Sequence, residues 1–170
     1  LVAFYNVRAA QYNENESVGA SFPAFSIGVR VMAQDCIFCK IASGEQPAAE
    51  VLRTDKVVSF LDINPVNPGH CLVIPTRHAE NLMDLQEEEL HACISAAQKV
   101  GEAVMAVTDS PGLNLLQNNH RCAGQVVSHA HFHVIPRDPG DGFSFGWRQQ
   151  TYPEGEMDAL QRDIQDALEE

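Results

Sequence analysis

The sequence predicts an α+β domain built on a mainly antiparallel sheet, and three observations carry that expectation. Short apolar runs rich in Val, Ile and Leu alternate with turn residues, one long segment carries apolar residues at helical spacing, and a late segment places histidine at every second position. At 170 residues, of which 45% are hydrophobic, the chain suits one compact core.

Each element has its own signal. Val51-Leu52-Arg53 and Val57 to Leu61 flank Thr54-Asp55-Lys56 and read as a hairpin. Asn64-Pro65-Val66-Asn67-Pro68-Gly69 breaks the chain before His70 opens a strand over Cys71 to Ile74, closed by Pro75. From Asp84 to Ala106 the residues Leu90, Ile94, Ala97, Gly101 and Val104 recur at helical spacing, with Asp84 as N-cap and Glu87 completing a capping-box variant. Asp109-Ser110-Pro111-Gly112 ends that helix. Two further strands, Leu113 to Gln117 and Val126 to Ile135, are joined by the polar loop Asn118 to Gly124. Met157, Leu160, Ile164 and Leu168 mark a short amphipathic helix near the end. Residues 1–33 show no sustained period and read as an N-terminal extension of uncertain order, with residues 34–170 forming the domain and its tail.

Composition narrows the function. A formal net charge of −12 argues against a nucleic-acid polymer as partner, because phosphate backbones are held largely by Lys and Arg. A small anionic ligand remains compatible with it. No stretch approaches the roughly 20 apolar residues of a membrane span. Five cysteines, an odd number, without a secretory pattern at the start favour a reducing cytoplasm.

The most informative run is Val127-Ser128-His129-Ala130-His131-Phe132-His133-Val134-Ile135. In extended chain, His129, His131 and His133 share one face while Ala130, Phe132 and Val134 cover the other. One such histidine is commonly a solvated strand residue; three in register point to chemistry or to a metal held by imidazoles. Cys36-Ile37-Phe38-Cys39 offers a second metal home, since two cysteines at this spacing bring both thiolates to one ion. The same pair can be a redox couple or two core thiols. Further ligands would come from Cys71, Cys93, Cys122, His70, His78, His91, His120 or the triad, and spacing does not choose among them.

His129-Ala130-His131-Phe132-His133-Val134-Ile135 resembles the signature of the histidine triad (HIT) superfamily, in which hydrophobic residues alternate with three histidines. Cys36 to Ile41, Phe60-Leu61-Asp62-Ile63, Gly69-His70 to Pro75, His78, Asn118 and Gly124-Gln125 look like its Hint branch, the nucleoside phosphoramidases. The resemblance covers roughly Asp35 to Arg137. It implies a HIT-like fold with a five-stranded sheet, a long helix and a short C-terminal helix. It also implies structural zinc on Cys36, Cys39, His78 and His129, with no metal in the chemical step. His131 would be the nucleophile toward the α-phosphorus of a purine nucleoside phosphoramidate or acyl-nucleotide, assisted by His133 and His70. Asn118 and Gln125 would position the phosphate, Asp62 would accept from ribose and Ile63 would pack the purine. Family members are homodimers whose C-terminal segment lies near the partner's site, which assigns Trp147 to the pocket. Val126 departs from the usual Ser or Thr after the Gly-Gln pair and removes a hydroxyl from the phosphate region. The alternatives are a dinucleoside polyphosphate hydrolase and a non-catalytic nucleotide-binding regulator.

Overall fold

The computed structural model describes residues 35–144, 146 and 149–169. The proposed N-terminal extension, residues 1–33, and Trp147 lie outside the described residues. Five antiparallel strands form one sheet: β1 (Glu50–Arg53), β2 (Val57–Leu61), β3 (Cys71–Pro75), β4 (Gly112–Gln117) and β5 (Phe132–Arg137), in spatial order β1-β2-β3-β5-β4. The helices are α1 (Ile37–Ser43), α2 (Glu87–Thr108) and α3 (Glu156–Leu168).

The β1–β2 hairpin forms because Thr54 closes its turn: Thr54 Oγ1 accepts from the Lys56 and Val57 amides, and Thr54 N–H donates to the Val57 carbonyl. β2 and β3 read as continuous apolar runs because both faces of the sheet are covered. On one face Val57, Cys71, Val73, Phe132 and Val134 pack against Cys93, Ala96, Ala97 and Val100 of α2. On the other, Val58, Phe60, Leu72 and Ile74 pack against Cys36, Phe38 and Ile41 of the α1 segment. Phe60, Leu72 and His133 are paired neighbours across β2, β3 and β5, so one row of the α1 face ends at a triad histidine.

Two boundaries and one helix face differ from the sequence expectation. Helix α2 starts after Gln86, whose amide donates to Glu89 Oε2 at 2.9 Å; Asp84 caps a short 3-10 turn with Asn81 instead. Its core face is Cys93, Ala96, Ala97, Val100 and Gly101, leaving Ile94 exposed, because small residues permit close approach to β5. The final strand begins at Phe132 and not at Val126. Residues ahead of it are held by local bonds, with the Ala130 amide donating to the Ala79 carbonyl at 2.7 Å and the His129 amide to that of Val127.

Candidate active site

Helix α1 starts inside the cysteine pair. Cys36 is its N-cap in extended backbone and Cys39 lies in its first turn, so both sulfurs face the same side; Gly44, with φ +81°, ends it. Cys36 Sγ lies 3.5 Å from His129 Nδ1, Cys39 Sγ lies 3.5 Å from the same atom, and Cys39 Sγ lies 3.2 Å from His78 Nδ1. The four ligand atoms all fall within 4.8 Å of one another. Tetrahedral zinc, with bonds of about 2.3 Å to sulfur and about 2.0 Å to nitrogen, sets an S···N edge of about 3.5 Å, so the donors stand at close to the spacing a zinc ion requires. The His129 ring donates from Nε2 to the Pro75 carbonyl at 3.0 Å, which leaves the Nδ1 lone pair for a metal. Burial pushes the Cys39 thiol up to about 12, and the Cys36 sulfur beside it adds to this, so two thiolates here call for a cation. Four protein donors leave no open position, which suits a structural ion.

The next histidine differs. His131 is buried, and its Nδ1 donates to the His129 carbonyl at 2.6 Å. That bond assigns the ring proton to Nδ1 and leaves the Nε2 lone pair available. Phe38 meets His131 edge-on at 5.3 Å and His129 at 5.9 Å between ring centroids, so α1 fixes both rings. Burial lowers the His131 pKa below the usual imidazole range, overriding its bond to the His129 carbonyl and the Asp62 charge, and keeps the ring neutral at pH 7.

The third histidine joins a separate chain. The Val66 amide donates to His70 Nδ1 at 3.2 Å, which places the His70 ring proton on Nε2; that atom lies 2.9 Å from His133 Nδ1. His133 is thereby left with its remaining N–H at Nε2. Burial lowers both rings, His133 to about 4, with His131 and His70 adding to the effect on His133. Asp62 stands 3.8 Å from His70 Nε2, too far to reverse this. Asp62, His70 and His133 also place ligand atoms within 4.8 Å, but the Val66 N–H already occupies His70 Nδ1 and the proton sits on Nε2, so His70 and His133 are a hydrogen-bonded pair with Asp62 beside them. The burial of His129 and His131 removes the solvated-face reading, and their divergent partners remove a single three-imidazole metal site.

His131 and His133 open onto a cleft of about 710 Å³ whose walls include Ile37, Phe38, Ile41, Phe60, Leu72 and Val127. Asp62 and Ile63 line it too, Ile63 with its side chain 91% exposed at the rim. One end is polar and histidine-rich while the walls are apolar and aromatic, which suits a ligand with a flat hydrophobic part and an anionic part.

One of the residues assigned to the phosphate is placed otherwise. Gln125 is buried and fully engaged: Oε1 accepts from the His120 amide at 2.7 Å, and Nε2 donates to the Glu80 and Val127 carbonyls. It organises the loop and has no donor left for a ligand. Asn118 adjoins Gly124, which lines the cleft, with its Nδ2 3.5 Å from where a Gly124 Cβ would be. Val126 lines the cleft and is 90% exposed. The sequence reading missed the α1 wall; its only sequence signal is Ile37 and Phe38 inside the cysteine pair with Ile41 just after it.

Comparison with known proteins agrees with this architecture. The HIT domain family profile matches residues 43–140, and the chain belongs to that family. An uncharacterized HIT-like protein of Methanocaldococcus jannaschii is 48% identical over 107 residues, covering 63% of this chain and 82% of its own length. The adenosine 5'-monophosphoramidase of Schizosaccharomyces pombe is 38% identical over 130 residues, covering 76% and 95%. The crystal structure of a zinc-bound histidine triad family protein from Mycobacterium smegmatis superposes with a TM-score of 0.63 at 32% identity, covering 81% of this chain and 98% of that one.

Proposed function

We propose that the protein is a nucleotide hydrolase that cleaves purine nucleoside 5'-monophosphate derivatives, phosphoramidates or acyl-nucleotides, through a nucleotidyl-histidine intermediate on His131. The observation that carries this reading is the His131 Nδ1 bond to the His129 carbonyl, which leaves a neutral Nε2 lone pair at the cleft. That lone pair attacks the α-phosphorus. An Nε2–P bond forms, the bond from phosphorus to the amine or acyl oxygen breaks, and the leaving group takes the electron pair with a proton from solvent. The ring becomes cationic, and the 2.6 Å bond to the His129 carbonyl strengthens as it does so, stabilising the intermediate. Water then attacks phosphorus, gives its proton to solvent, and returns the pair to Nε2. His133, oriented by His70, donates from Nε2 to the phosphoryl oxygens as their charge grows. Asp62 has one oxygen on the Asn64 amide and offers the other to ribose hydroxyls, while Ile63 and the aromatic wall take the purine.

The relative named adenosine 5'-monophosphoramidase supports this substrate class. Zinc on Cys36, Cys39, His78 and His129 would be structural: it supplies a cross-link between α1 and the chain before β5, and the step at phosphorus uses imidazole alone. A homodimer is part of the proposal, supported by β4, a sheet-edge strand with Leu115 exposed. So is residence in a reducing compartment, which suits five free thiols.

The test is mass spectrometry of protein quenched during turnover of adenosine 5'-phosphoramidate. An adenylyl adduct on His131 is expected, with adduct and hydrolysis both lost in His131→Ala while AMP still binds. Hydrolysis that persists in His131→Ala overturns the proposal.

A further inference from the structure

Beyond the cleft, a set of polar side chains closes a circuit around the loop between β2 and β3. Arg137, at the end of β5, donates from Nε and Nη2 to both oxygens of Asp141 at 2.6 and 2.7 Å, a bidentate pair. The same guanidinium donates to Asn114 Oδ1 and to the Phe143 carbonyl and stacks 4.7 Å from the Phe143 ring. Asp141 is thus held rigidly, with only 8% of its side chain exposed. Its Oδ2 accepts from Asn67 Nδ2 at 2.8 Å, and Asn67 Nδ2 also reaches the Pro136 carbonyl at 2.8 Å. The Asn67 carbonyl in turn accepts the His70 amide at 3.0 Å, and His70 returns to β5 through His133. The loop that carries Asp62 and His70 is therefore tied to one strand twice, at His133 and three residues later at Pro136.

We propose that Asn67 and Asp141 are positioning residues: pinned by Arg137, they hold the turn that keeps His70 hydrogen-bonded to His133. Neither touches the cleft, so their effect is transmitted through His70. This rests on the hydrolase reading for its kinetic consequence but not for its geometry. Without the clip, the His70 amide keeps its acceptor but the turn loses its anchor on β5. His70 Nε2 then drifts from His133 Nδ1, and the donor facing the phosphoryl oxygens loses its fixed orientation. Asp62 is less affected, because it follows β2 directly and is held by the Asn64 amide.

The experiment uses the full chain as Asn67→Ala and, in case that variant fails to fold, Asp141→Asn, which keeps the side chain's shape. Two readouts are needed: steady-state hydrolysis of adenosine 5'-phosphoramidate, and the ring ¹⁵N resonances of His70 and His133, which report the tautomers. We expect kcat to fall about tenfold with KM within about threefold. The His133 ring should pass from a single tautomer to an averaged mixture. A change in thermal stability alone, with kcat within about twofold of wild type, overturns the proposal, as does a fall in kcat with unchanged ring resonances. If the wild type hydrolyses nothing but the variants still shift the ring resonances, the clip stands and the hydrolase reading fails.

Discussion

Replacing Gly69 by alanine should destabilise the protein by an amount the structure divides into two parts. Gly69 directly precedes His70 and adopts φ +93°, a region that L residues enter only with strain of about 1–2 kcal/mol. A Cβ there would also lie 2.9 Å from Thr108 Cγ2 and 3.2 Å from Val104 Cγ1. Thr108 has little freedom to retreat, because its hydroxyl bonds the Val104 carbonyl at 2.8 Å and Ser110 Oγ at 3.0 Å and so fixes the rotamer. Overpacking of this kind costs about 1–3 kcal/mol, giving a total near 2–5 kcal/mol. Two controls separate the parts. Gly44→Ala has a similar φ of +81° but nothing within 4 Å, so it reports strain alone. Gly101→Ala meets Leu113 Cδ2 at 2.7 Å without a positive φ, but that methyl ends a flexible side chain, and the helix gains up to about 1 kcal/mol from alanine, so the net change is small. Urea unfolding followed by circular dichroism gives the three values. If Gly69→Ala and Gly44→Ala cost the same, the close approach between α2 and the His70 turn has no energetic weight and the reasoning fails.

Three other outcomes are expected. Chelating zinc from a loaded sample should lower the thermal midpoint, by about 4 kcal/mol of stability where free metal stood a thousandfold above its dissociation constant. A midpoint indifferent to verified metal loss would refute the structural role. Val126→Ser should raise turnover and, with Val126 90% exposed, change stability by less than about 0.5 kcal/mol; an unchanged or lower rate refutes it. Stability should also fall in acid. His133 folds with a pKa of about 4 against about 6.5 unfolded, so the unfolded chain binds more protons between these values. The contribution is present above pH 6.5 and is lost as pH falls toward 4. The full span would be about 3 kcal/mol, and partial exposure of the ring reduces it to about 1–2 kcal/mol. Comparing urea midpoints at pH 7 and 4.5 for wild type and His133→Asn checks this, and equal pH dependence in both would refute it.

Much of the fold was legible because local signals and tertiary demands coincide. Thr54 to Lys56 forms a turn by its own hydrogen bonds, and Val57 to Leu61 and Cys71 to Pro75 are apolar enough to be buried on both faces. Where the two demands diverge, the sequence misleads. The period-two histidine pattern reads as strand from Val126, yet the chain is paired into the sheet only from Phe132, since the Ala130 amide is claimed by Ala79. Helix α1 is only seven residues long, too short for periodicity to reveal, and it is stabilised by packing on Phe60 and Ile74. The family resemblance assigns Gln125 to the phosphate. Three backbone partners, one of them 45 residues away, decide instead that it is structural.

The same divergence explains how one repeated residue meets three different environments, which the proposed function reads as three purposes. The period of two puts His129, His131 and His133 close together, but what each ring does depends on which nitrogen keeps its proton, and that is set by groups remote in sequence. The Pro75 carbonyl claims Nε2–H of His129 and turns Nδ1 toward the cysteines. The His129 carbonyl claims Nδ1–H of His131 and leaves Nε2 basic at the cleft. The Val66 amide sets the proton on His70, and through it makes His133 a donor. In the proposed reading the zinc ligand and the nucleophile stand two residues apart: the residue that would bind zinc also supplies the carbonyl that orients His131. Displacing that carbonyl alters the His131 orientation before any side chain in the cleft is touched, so under the proposed function changes at Cys36 or His78 should lower kcat as well as stability.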